Sequence, residues 1–185
     1  MFFKPFEYYI MRPPERMRLM CLSLIGSLKH NDGSLSEPFD DSADKNISKI
    51  SYTNWEKYPV ETESTLRLKY FFANYLSAFY GPRLKKKHKI DFDVYKIWYQ
   101  IYEANSGDYH GWHDHMPNPF LSNIWYLELP KGYGTEFKVK NKIIKPKVKT
   151  GDLIVFPPNI LHRSPPNNSN EIKSIVSFNL NKSTD

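Results

Sequence analysis

From residue 92 onward the chain is written in short apolar runs broken by Gly, Pro, Asn, Asp and Lys, the pattern of strands and turns. These runs predict strands over 92–102, 122–129, 135–140, 142–148, 151–156 and 172–181. Upstream the period changes. Between Ser64 and Tyr80 the apolar positions are 68, 71, 72, 75, 76 and 79, which is helical spacing, and Gly81-Pro82 is predicted to stop the helix. Its amphipathic face is expected to lie against a sheet. Residues 29–46, with Asn31-Asp32-Gly33 and Asp40-Asp41-Ser42, read as loop, and Ile47–Tyr52 as a short strand. The sum is a mainly β chain. Residues 1–91 form an α+β region that supports the core without being an independent domain, and 92–185 form the β core.

Composition agrees with that picture and adds charge. The 185 residues suit one domain with a real core. Aromatic residues make up 16%, which favours strands. The formal net charge is +6, concentrated in Arg83–Lys89 and in six lysines between Lys138 and Lys149. Such runs read first as solvated loops and strand faces; attraction of an anionic substrate also fits, and nucleic-acid contact is the weaker alternative. The single cysteine, Cys21, excludes an intramolecular disulfide and a cysteine-based zinc site, and reads as a small buried hydrophobe. The apolar stretch Leu19–Leu28 is too short to span a bilayer, and the start lacks the order of a signal peptide. The chain is therefore expected to be cytoplasmic, with no membrane partner.

The candidate chemistry lies in Gly107-Asp108-Tyr109-His110-Gly111-Trp112-His113-Asp114-His115, which holds three of the six histidines. It sits between two apolar runs, at a strand–turn–strand junction. Residues i and i+2 of a strand share a face, so His113 and His115 point together and Asp114 points away. Two neutral imidazoles so placed can bind a metal. A third, His162, follows the short buried strand that Pro157 ends. The interval from His115 to His162 accommodates about four strands, enough for a β chain to fold back onto the pair. Three protein ligands with open positions describe a catalytic rather than a structural metal site.

Gly111-Trp112-His113-Asp114-His115, Tyr126-Leu127, Gly134-Thr135-Glu136-Phe137, Gly151-Asp152 leading to Phe156-Pro157, and then His162 followed by a basic residue come in an order that resembles the Fe(II)/2-oxoglutarate-dependent oxygenases, nearest the prolyl-hydroxylase-like branch. The resemblance covers roughly Ile97 to Leu180. It implies a double-stranded β-helix (jelly roll) that binds Fe(II) at His113, His115 and His162. It also implies 2-oxoglutarate as cosubstrate with O2, and hydroxylation of a peptide side chain or small molecule. Lys173 and Tyr126 match residues that hold the cosubstrate carboxylate in that family, and Tyr102 matches a tyrosine lining the pocket. His110 is a candidate for a supporting group or substrate contact; Trp112 and Trp125 are expected to pack, and Arg163, facing the opposite way from His162, to be structural or substrate-facing rather than a cosubstrate contact. The family carries Asp or Glu where this chain has His115. Strand alternation favours His115, whereas a bulge at Gly111 would present Asp114. The cupin metalloproteins are a second resemblance. Gly107-x5-His113-x-His115 matches the start of their first motif without its glutamate, and Gly151-x5-Pro157-x-Asn159-x2-His162 nearly matches the second. A cupin-type dioxygenase or isomerase without 2-oxoglutarate, and a non-catalytic jelly-roll binding module, stand as alternatives.

Overall fold

The computed structural model describes residues 7–31, 37–38, 48–49, 51–54, 77–89, 91–117 and 119–183. The element order is β1 (Tyr9–Met11), α1 (Glu15–Asn31), β2 (Glu37–Pro38), β3 (Ser48–Lys49), β4 (Ser51–Asn54), α2 (Ser77–His88), β5 (Phe92–Tyr102), β6 (Tyr109–His113), β7 (Leu121–Glu128), β8 (Glu136–Val139), β9 (Lys142–Ile144), β10 (Leu153–Phe156), β11 (Leu161–Ser164) and β12 (Lys173–Lys182). Two sheets result, a seven-stranded one in the order β1-β10-β7-β12-β5-β4-β2 and a five-stranded one in the order β3-β6-β11-β8-β9. The pairings between neighbouring strands are antiparallel.

The strand pattern explains where the core sits. Along β7, Trp125 and Leu127 point to one face of the larger sheet and Ile124 and Tyr126 to the other; β10 divides likewise into Leu153 and Val155 against Ile154 and Phe156. Strands buried on both faces carry continuous apolar runs, which is why Leu153-Ile154-Val155-Phe156 shows no alternation. The outer face is covered by α1, whose Met17, Cys21 and Ile25 recur one helical turn apart. Pro13-Pro14 precede this helix, where a missing N–H costs nothing, and Arg18 ties it to β7 by donating from Nη1 to the Leu127 carbonyl at 2.7 Å. Cys21 is fully buried there, and burial pushes its thiol pKa up, as expected of a packed hydrophobe. The inner face joins Tyr102, Ile124, Tyr126, Phe156 and Ile175 to Phe137 of the smaller sheet. Between the two sheets lies the histidine cluster.

The predicted strands coincide with β5, β7, β8, β10 and β12 to within a residue or two. The run 142–148 is shorter: β9 ends at Ile144, because Pro146 has no N–H to give a ladder. The predicted helix over 64–80 falls outside the described residues up to position 76. What is described corrects its end. Helix α2 runs through Gly81 and Pro82 and stops at Lys89, whose φ is 60° and whose amide donates to the Lys85 carbonyl at 2.8 Å. Packing outweighs the propensity of those two residues: Phe79 lies against the core, and His88 bonds the Tyr9 hydroxyl at 3.1 Å and meets Phe92 and Phe120 edge-on. Four basic residues, Lys85 to His88, suit the negative end of the helix. Among the described residues no helix is long and apolar enough to cross a membrane.

Candidate metal centre

Strands β6 and β11 bring the distant histidines together, with His113 directly opposite His162. One residue later in the ladder the register slips: Ser164 pairs with His110, so Gly111 and Trp112 oppose a single residue of β11. This bulge puts His110 and His113 on the same face although they are three positions apart. Their rings stack with centroids 3.8 Å apart. His115 lies beyond the end of β6, where its amide donates to the Pro158 carbonyl at 2.9 Å. One ring nitrogen from each of His113, His115 and His162 lies within 4.8 Å of the other two, and this set could hold a metal ion. A bulge at Gly111 is thus present, yet it does not turn Asp114 inward. That side chain is exposed, and its Oδ1 accepts from the Met116 amide at 3.2 Å.

The hydrogen bonds select the tautomer of each imidazole. His113 Nδ1 lies 2.8 Å from the Gly111 carbonyl and His162 Nδ1 lies 2.9 Å from the Ile160 carbonyl. A carbonyl only accepts, so both rings carry the proton on Nδ1 and leave the Nε2 lone pair for a ligand bond. His115 Nδ1 donates to Asn179 Oδ1 at 2.9 Å, with the same result. His110 is set the other way. Ser177 donates to Gln100 Oε1 at 3.3 Å, so Gln100 Nε2 donates to His110 Nδ1 at 3.1 Å and the proton sits on Nε2. Burial lowers the pKa of all four rings, to about 4 for His113 and well below the ordinary value for His110 and His162. The cluster is therefore neutral at physiological pH, the form that binds metal. Three donors that present Nε2 and whose Nδ1–H groups are already bonded fit a divalent ion.

These rings line a cavity together with Trp98, Gln100, Tyr102, Thr135, Arg163 and Ser164. Tyr102 lines it with a fully buried hydroxyl that makes no well-formed hydrogen bond among the described residues; burial pushes its phenol pKa up, and the neighbouring Ser164 hydroxyl draws it part of the way back. A buried hydroxyl left in that state is the mark of a polar ligand's place. Lys173 is fully buried one layer behind. Its Nζ donates to Ser164 Oγ at 2.5 Å and to the Tyr133 carbonyl at 2.9 Å, and sits 4.7 Å from the centre of the Tyr102 ring. Burial pushes its pKa down to about 7, against the pull of Glu136. Tyr126 is not on the cavity wall; its hydroxyl donates to Thr135 Oγ1 at 2.8 Å and accepts from the Thr135 amide, so Thr135 faces the cavity in its stead.

Arg163 lies at the cavity rim. Its guanidinium bonds Glu136 Oε2 at 2.7 and 2.8 Å and lies 4.7 Å over the Trp112 ring. Lys145 bonds the other oxygen of Glu136 at 2.6 Å. Burial works to raise the Glu136 pKa, but the two cations hold it below the usual range. Trp125 packs as expected, with Nε1 donating to the Gly151 carbonyl at 3.2 Å. The Gly151-Asp152 pair makes the turn into β10: Gly151 takes φ 86°, open to glycine at no steric cost, and Asp152 Oδ2 accepts from the Lys149 amide at 3.0 Å. Sequence reasoning passed over Gln100, Ser122, Thr135, Ser164 and Asn179. A signal was present for three of them, since Gln100, Ser122 and Asn179 fall inside strands beside apolar neighbours. A polar side chain on a strand's core face needs a partner, and here the partners are the site.

No protein-family model matches the chain, and no curated protein matches it in sequence. Solved structures do match its fold. A prolyl hydroxylase from Trichoplax adhaerens, in complex with a hypoxia-inducible-factor oxygen-degradation-domain peptide fragment, superposes with a TM-score of 0.64 at 15% identity, over 93% of this chain and 82% of that one. An oxidoreductase of the 2-oxoglutarate–Fe(II) oxygenase family from Burkholderia pseudomallei gives 0.62 at 12% identity, over 94% and 84%. SnoN, a non-haem α-ketoglutarate-dependent epimerase from nogalamycin biosynthesis, gives 0.70 at 12% identity, over 97% and 78%. At such identities the likeness is one of fold, and the fold of this chain is that of the 2-oxoglutarate–Fe(II) oxygenases.

Proposed function

We propose that the chain is an Fe(II)- and 2-oxoglutarate-dependent oxygenase acting on a peptide side chain or a small molecule. The observation that carries the reading is the convergence of His113, His115 and His162, each with Nδ1–H bonded and Nε2 available. The two facing antiparallel sheets are, on this reading, the halves of a jelly roll. When bound, Fe(II) with 2-oxoglutarate and O2 supplies the oxidising chemistry. The protein's part is to hold three neutral donors in place, to keep the pocket dry, and to bind the cosubstrate's carboxylate. For that last task the chain offers the Tyr102 hydroxyl, with Lys173 behind it and Tyr126 acting through Thr135. A buried ammonium–carboxylate contact is charge-assisted and strong. Peptide and small-molecule substrates are both in keeping with the structures that share the fold, one solved with a peptide and one an epimerase from nogalamycin biosynthesis.

Anaerobic Fe(II) titration tests the ligand set. His162→Ala should abolish binding, since His113 and His115, two positions apart on one segment, cannot enclose the ion by themselves. His110→Ala should bind nearly as wild type, because its Nε2 carries a proton and has no lone pair to give. Equal loss in both variants would overturn the assignment. A second reading, a cupin-type metal dioxygenase without 2-oxoglutarate, draws on the all-histidine set and on the bonds Lys173 already makes to Ser164 and Tyr133. Succinate release from 2-oxoglutarate by the iron-loaded protein decides between the two.

A further inference from the structure

The three candidate ligands are not held alike. His113 and His162 each bond the carbonyl two residues before them, so their orientation is written into their own strands. His115 stands past the end of β6 and has no such local acceptor. Its Nδ1–H is held instead by side chains from two other strands, Asn179 Oδ1 on β12 at 2.9 Å and Ser122 Oγ on β7 at 3.1 Å. Ser122 and Asn179 are direct partners across the β7–β12 ladder, and Ser122 Oγ donates to Asn179 Oδ1 at 3.0 Å. Both side chains are buried. On its other side β12 slips register against β5 between Asn179 and Leu180, an irregularity of the kind that re-aims a side chain beside a site.

We infer that Asn179, supported by Ser122, is a positioning residue that makes His115 a metal ligand; this rests on the metal reading proposed above. A carboxylate ligand binds through either oxygen and needs no tautomer chosen for it, whereas an imidazole must have its distal nitrogen protonated and its ring plane fixed. The Ser122–Asn179 clasp supplies both. The three-histidine set is thus a built site, its third member seated by residues from two other strands.

The experiment is Co(II) titration of the metal-free protein, followed by the visible ligand-field spectrum, with far-UV circular dichroism to check folding. Asn179→Ala should weaken Co(II) binding roughly 10- to 100-fold, the usual effect of removing a group that orients a ligand, and should alter the spectrum. Asn179→Asp keeps an acceptor at the same place and should restore both. If Asn179→Ala does not fold, Asn179→Asp with near wild-type affinity and Ser122→Ala with a several-fold loss carry the same test. A folded Asn179→Ala with wild-type affinity and spectrum overturns the inference, as does Asn179→Asp binding as weakly as a folded alanine variant, or Ser122→Ala binding like wild type where the alanine variant does not fold. Wild-type protein that binds no Co(II) or Fe(II) overturns the metal reading and this inference together, so the two failures are told apart.

Discussion

At the scale of single residues the decisive contrast is between His115 and Asp114. Asp114 is exposed and occupied with the Met116 amide, while His115 lies in the cavity wall with its tautomer set. Three neutral imidazoles leave the full charge of a divalent ion, which a dianionic cosubstrate then neutralises; a carboxylate ligand would leave one charge too few. His115→Asp should accordingly retain iron and bind 2-oxoglutarate more weakly, while Asp114→Asn should change neither. Calorimetry with iron loaded measures both. Loss of iron in Asp114→Asn together with its retention in His115→Ala would show the assignment to be wrong. The three histidines were legible in the sequence because strand alternation survives two residues past the end of β6. The clasp that seats the third was not, because it depends on which strands become neighbours.

Among the elements, β12 carries the most consequence. It opens with Lys173, closes with the Asn179 region, and lies between β5 and β7 at the centre of the larger sheet. Burying Lys173 lowers its pKa from an ordinary value of 10.5 to about 7. The unfolded chain then binds a proton that the folded chain does not between these values, so stability rises with pH there. The contribution is complete above pH 10.5 and is lost as pH falls toward 7. The thermal midpoint of the ligand-free protein should climb between pH 7 and 10, and Lys173→Met should flatten the climb; parallel curves for the two proteins would contradict the burial argument. With iron present, Lys173→Ala should weaken 2-oxoglutarate binding by the roughly 1.5–3 kcal/mol of a charge-assisted contact, about ten- to a hundredfold. The strand itself was plain from its run of apolar residues. The loss of the stop at Gly81-Pro82 was not, since only the packing of Phe79 and His88 overrides the local preference.

Taken whole, the molecule is electrically lopsided. Segment 131–149 holds seven lysines and one acid, Glu136, and so accounts by itself for the formal net charge of +6. All seven lysines are exposed, on and around the β8–β9 hairpin at the edge of the smaller sheet, where charge also discourages edge-to-edge pairing. Lys145, Lys147 and Lys149 border a second cavity that shares Thr135 with the one at the histidines. A positive field so placed draws anions toward the site and is screened by salt. The association rate of 2-oxoglutarate should fall as ionic strength rises, and Lys147→Glu with Lys149→Glu should lower the rate and its salt dependence while leaving dissociation unchanged. Stopped-flow measurement over a salt series checks this; a salt-independent wild-type rate would rule out steering. The lysines were visible in the sequence, but their position beside the cavity required the hairpin to be placed.

The bulge at Gly111 and Trp112 has a meaning beyond geometry. Every position after it, His113, Asp114 and His115 alike, faces the way it does because of one extra residue in β6. Had the same residues run on in regular alternation from His110, the inward and outward positions would exchange, bringing the carboxylate in and sending both imidazoles out. A nitrogen-only centre and one supplied with an oxygen donor are therefore separated by one irregularity of the ladder, with no substitution at any ligand.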